Sequence, residues 1–165
     1  MFATDGNAET NNNDDGAGTM ECVYFGTWNA TRSGWCGGSG PGPWVMADLE
    51  NGLWACEKPR TVLPSNMAIE GEFVVAMVKG DSNSHWAIKG GSAQAPGGLR
   101  TMFDGPRPPG YHPMRKQGAV LLGIGGDNSD GATGTFFEGV MLQGFSTDAA
   151  DAAAQADIVR AGYGK

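Results

Sequence analysis

The sequence predicts a mostly β chain: a sandwich of short strands followed by one C-terminal helix. Three observations predict it. Of 165 residues, 28 are Gly and 9 are Pro, and Gly spread at that level without a collagen period argues for many turns between short strands. Several stretches of strand length alternate apolar with polar residues. One stretch alone, 146–162, turns Ala-rich between helix start and stop signals.

Taken in order, residues 3–18 are Asn-, Asp- and Gly-rich and read as an irregular surface segment. "TMECVYFGTW" (19–28) alternates as a strand, and "TRSGWCGGSGPGP" (31–43) reads as a long Gly-rich loop with Trp35 inside it. Residues 44–50 form the next strand. Its alternation puts Trp44, Met46, Asp48 and Glu50 on one face and Val45, Ala47 and Leu49 on the other. "EFVVAMVKG" (72–80) and "HWAIKGG" (85–91) pair as a hairpin through Gly80–Asn83 turn chemistry. "FDGPRPPGYHPM" (103–114) is a Pro-rich loop, whereas "GAVLLGIGG" (118–126) and "TGTFFEGVMLQG" (133–144) read as strands. The helix over 146–162 has Asp near its start, Arg160 near its end and Gly162 beyond. No repeat and no second linker-separated domain is visible, so residues 1–165 read as a single domain.

A net charge of -7 argues against nucleic acid, which is bound by clustered Lys and Arg. No apolar run reaches the ~20 residues of a membrane helix, so no membrane partner is expected, and no signal-peptide pattern opens the chain. Cys22, Cys36 and Cys56 have no CxxC spacing and lie far from His85 and His112, so no zinc motif is present; no metal or cofactor is called for. Their pairing is not readable from the sequence. Both histidines read as structural or exposed. "NNNDDG" (11–16) matches part of an EF-hand loop, but Cys22 stands where the bidentate Glu belongs. Asn29 heads an Asn-Ala-Thr sequon, a glycosylation acceptor if the chain is secreted.

Carboxylates at strand ends are the candidates for chemistry. Asp48 and Glu50 close one strand, and Asp127 follows "LLGIGG" on another. Two carboxylates from separate strands are what glycoside hydrolysis needs: one attacks or activates water, the other protonates the leaving oxygen. A second acid nearby and partial burial separate the two pKa values and keep one acid protonated. Trp35 and Trp44 could supply an apolar face for a sugar ring. The plain reading stands beside this one, because Asp-Asn-Ser-Asp-Gly is ordinary turn chemistry and a Trp in a Gly-rich loop is often a core plug.

The runs "GNAET…DDGAGTMECVYFG", "GPWVMADLENGL", "VKGDSNSHWAIKGG", "YHPMRKQGAVLLGIGGDNSDGATGTFFEGVM" and "DAAAQADIVRAGY" carry a further reading. In order and spacing they resemble the catalytic domain of family 54 glycoside hydrolases, the fungal-type α-L-arabinofuranosidase B enzymes. The resemblance implies a concanavalin-like β-sandwich (jelly roll) and retaining hydrolysis of terminal arabinofuranose from arabinan, arabinoxylan and related plant polysaccharides. It also implies an extracellular setting. It makes Glu50 the nucleophile and Asp127 the general acid/base, with Trp35, Asp48, Asn51, Gly126 and Asn128 at sugar-contacting positions. Glu50 and Asp127 are then expected ~5–5.5 Å apart, carboxyl to carboxyl.

This sequence departs from the family pattern at its start. The family carries adjacent cysteines just before "GNAET", and here that place reads "MFATD". The family's upstream β structure and its C-terminal arabinose-binding β-trefoil have no counterpart in the 165 residues. The expectation is the second part of a catalytic domain, an incomplete sandwich that self-associates or pairs with a missing N-terminal half. Two other readings stay open: a silent arabinofuranose-binding module and a truncated remnant.

Overall fold

The computed structural model describes residues 2–5, 20–27, 34–49, 52–111, 120–122 and 134–165. Ten strands and one helix lie among them. Strands β1 (Phe2–Asp5), β2 (Met20–Gly26), β4 (Trp44–Asp48), β5 (Leu53–Trp54) and β10 (Val120–Leu122) form a five-stranded sheet of order β10-β1-β2-β4-β5. Short β3 (Gly37–Ser39) pairs in parallel with β6 (Val62–Met67). Strands β7 (Val74–Gly80), β8 (His85–Ser92) and β9 (Arg100–Pro106) make a three-stranded antiparallel sheet.

The two larger sheets face each other across the core, as a sandwich requires. Gly90 on β8 marks the contact, since a Cβ there would meet Val45 Cγ2 of β4 at 2.8 Å. Val45 and Ala47 therefore face the three-stranded sheet, while Trp44, Met46 and Asp48 point the other way, the alternation read from the sequence. Trp86, Ile88 and Met102 complete this core and are fully buried.

The three-stranded sheet is covered on both faces. Trp86 and Ile88 point to the core, and Lys89 of β8 and Lys79 of β7 point outward, to helix α1 (Asp148–Ala161). Thr147 caps the helix by accepting from Ala150 N, and Gly162 ends it in the left-handed region at φ 76°. The inner face of α1 is polar. Asp151 and Gln155, one turn apart, are its buried residues, and Gln155 Nε2 donates to Ser92 O. This explains why the segment shows helix ends but no apolar stripe.

The 72–80/85–91 hairpin forms as expected: Asp81 Oδ1 accepts from Asn83 N and His85 N to shape its turn. Other expectations are corrected. Residues 134–144, expected as a strand, are irregular, with Val140 70% and Leu142 65% exposed; among the described residues no strand lies alongside to take up the ladder bonds. The expected irregular start contains β1, the 31–43 loop contains β3, and β9 takes the first residues of the Pro-rich stretch. Pairing with distant segments creates these strands, and local composition does not encode it. The strand expected over 44–50 ends at Asp48.

Candidate active site

The candidate site is built at the C-terminal end of β4. Asp48 is the last strand residue, fully buried and opposite Cys22 of β2. Beyond it the chain turns back, because Leu49 N donates to Gly52 O and Asp48 then pairs with Leu53 of β5. Glu50 and Asn51 sit between these two bonded residues and lie outside the described ones. The parity argument that put Glu50 on the face of Asp48 has no strand to run on, since β4 stops two residues earlier.

Trp35 arrives from the Gly-rich loop and lies against this reversal. Gly52 is buried with φ +110°, and a Cβ on it would stand 2.7 Å from Trp35 Cδ1 and Nε1. The indole therefore rests on bare backbone that only glycine supplies. The loop is tied down on its other side by the Cys36–Cys56 disulfide, with Cα atoms 5.9 Å apart, and by Arg60 N, which donates to Trp35 O at 2.8 Å. Cys22 takes no part in this disulfide and is buried.

Trp44, expected as a second sugar platform, is a core residue. Its Nε1 donates to Ser39 O, and its ring lies over Gly38, where a Cβ would meet Cδ1 at 2.2 Å. The sequence reading missed Tyr111, which sits in the Pro-rich stretch with no local signal. Its ring meets Trp54 edge-on at 5.1 Å. Burial pushes its phenol up, Trp54 partly offsets this, and the negative charge of Asp48 pushes it up further. Tyr111 thus belongs to the surroundings of Asp48. His85, read as structural or exposed, bonds Asp104 Oδ1 and stacks on Phe145.

Of the residues named from the sequence, the structure brings Trp35 and the Asp48 end of β4 together. Asn29, Glu50, Asn51, Gly126, Asp127 and Asn128 lie outside the described residues, as does the Glu50–Asp127 separation. Among the described residues no cluster of three or more His, Cys, Asp or Glu could hold a metal.

The sandwich thus places a buried acid, Asp48, and the half-buried Trp35 beside the same chain reversal. The family model "Alpha-L-arabinofuranosidase B, catalytic" matches residues 3–164, and the chain belongs to that family. An α-L-arabinofuranosidase of Hypocrea jecorina is 52% identical over 160 residues, 96% of this chain and 31% of its own length. A probable α-L-arabinofuranosidase B of Aspergillus clavatus is 51% identical over 96% of this chain and 30% of its own. An arabinofuranosidase structure complexed with arabinofuranosyl-α-1,2-xylobiose superposes with TM-score 0.80 at 40% identity, covering 98% of this chain and 32% of that one. A family 54 α-L-arabinofuranosidase soaked with a cyclic sulfate inhibitor gives TM-score 0.79 at 43% identity, covering 98% and 34%. The chain spans about a third of the length of the curated relatives it matches.

Proposed function

We propose that this chain carries the catalytic centre of an extracellular α-L-arabinofuranosidase that removes terminal α-L-arabinofuranosyl groups from plant polysaccharides with retention. The observation that carries the reading is the family match over residues 3–164, which includes both candidate carboxylates. Glu50 attacks the anomeric carbon while Asp127, protonated, donates its proton to the leaving oxygen. Asp127 then takes a proton from the water that hydrolyses the glycosyl ester. Asp48 holds sugar hydroxyls together with Asn51, Gly126 and Asn128, and Trp35 offers the sugar an apolar wall. The xylobiose-linked arabinofuranose bound by a relative supports arabinose-substituted xylan fragments as substrates. The Cys36–Cys56 disulfide and the Asn29 sequon suit an oxidising, secretory route.

The test is release of arabinose from an aryl α-L-arabinofuranoside by the full chain beside Glu50→Gln, which keeps the side-chain shape and removes the nucleophile. The expected result is release by the parent and none by the variant. Equal rates would overturn the assignment of Glu50. Sugar binding without release by the parent would favour a binding module.

A further inference from the structure

Three independent ties converge on one side chain. Trp35 is followed directly by Cys36, whose disulfide to Cys56 spans a sequence separation of 20 residues. Its carbonyl accepts from Arg60 N at 2.8 Å, and Gly37 N donates to Thr61 O at 3.0 Å. Its indole lies on Gly52, two positions after Glu50, where any side chain would collide with the ring. The cross-link thus joins the loop bearing Trp35 to the segment just beyond the Leu49–Gly52 reversal.

We propose that the Cys36–Cys56 cross-link and the bare backbone at Gly52 are positioning elements that hold the Trp35 indole as a fixed wall of the sugar site. This rests on the functional reading above through the role given to Trp35. The need for such elements follows from the loop itself. Gly34, Gly37, Gly38, Gly40 and Gly42 surround Trp35, and chain so rich in glycine loses much conformational entropy when it is ordered. An untethered indole would spend part of its time away from the Leu49–Gly52 reversal, and substrate would have to gather it on binding. The cross-link orders the wall beforehand, and that preorganisation is read in substrate affinity more than in the chemical step. Gly52 works from the opposite side by leaving room for the ring to seat.

The test compares the full chain with Cys36→Ala/Cys56→Ala, with Gly52→Ala and with Trp35→Phe, which identifies the Trp35 indole N–H signal in 15N-labelled protein. In the first two variants the Trp35 signal is expected to shift or broaden. The Trp86 signal, bonded to Pro106 O outside this loop, should stay in place. With an aryl α-L-arabinofuranoside, KM is expected to rise about tenfold while kcat stays within about threefold. An unchanged Trp35 signal with unchanged KM would overturn the proposal. So would a common shift of all indole signals, which marks the disulfide as a general staple. If the parent releases no arabinose, the functional reading falls, and the indole signals still decide whether these residues position Trp35.

Discussion

Lys79 and Lys89 stand diagonally across the β7–β8 ladder and aim both ammonium groups at one atom, Asp151 Oδ2, at 2.6 and 2.7 Å. Ser146 Oγ donates to the other oxygen of that carboxylate, and Asp148 Oδ1 bridges the two lysines from the helix start. With the Lys79 and Lys89 side chains 5% and 6% exposed, the charges of this cluster neutralise one another inside the contact between helix and sheet.

Asp151→Ala should therefore cost far more than Asp148→Ala. The first leaves two buried cations with the exposed Asp148 as their remaining carboxylate among the described residues, a loss of about 3 kcal/mol or more by analogy with broken buried pairs. The second removes a side chain that is 88% exposed, where solvent screens the pairing, and should cost little. Urea unfolding of both variants checks the order, and equal losses would contradict it.

The same cluster sets a pH dependence. Burial raises the Asp151 carboxyl, but the bonds from Lys79, Lys89 and Ser146 outweigh it and bring it down to about 2 from 3.8. A depressed acid stabilises the fold above its unfolded pKa, so this contribution is present above about pH 4 and lost as pH falls towards 2. Its size is about 2 kcal/mol. Burial lowers the Lys89 ammonium, but Asp148 and Asp151 push it up to about 12 from 10.5. That contribution is complete below about pH 10 and lost as pH rises towards 12. Urea midpoints at pH 7 and 2.5 should fall further in the parent than in Asp151→Asn; identical falls would remove Asp151 from the acid transition.

Gly38→Ala is expected to destabilise strongly. Its Cβ would stand 2.2 Å from the Trp44 ring and 2.6 Å from Asn66 O, and neither a buried indole nor a backbone carbonyl yields cheaply. A loss of about 2–3 kcal/mol follows from overpacking of this kind. A thermal melt reads it, and a melting point within a degree of the parent would contradict the packing described.

Asp48→Asn should lower the pKa of Tyr111. The phenol is pushed up by burial first and by the Asp48 charge in addition, so removing that charge relieves one cause and leaves the other. Ultraviolet titration, with Tyr111→Phe identifying the signal, should show phenolate forming at lower pH in the variant. No change would mean that Asp48 and Tyr111 do not share a field.

By itself, the sequence determined the β class, the β7–β8 hairpin with its Asp81 turn, the alternation along β4 and the capped C-terminal helix. Each of these is written in neighbouring residues: turn chemistry, side-chain parity and caps act over a few positions. The tertiary structure alone decided that Cys36 joins Cys56, that Trp44 fills the core while Trp35 rests on Gly52, and that Tyr111 packs on Trp54. It also decided that β4 stops at Asp48 and that α1 docks through buried charge. These facts depend on which segments meet across long sequence separations, and a local pattern carries no record of its distant partner.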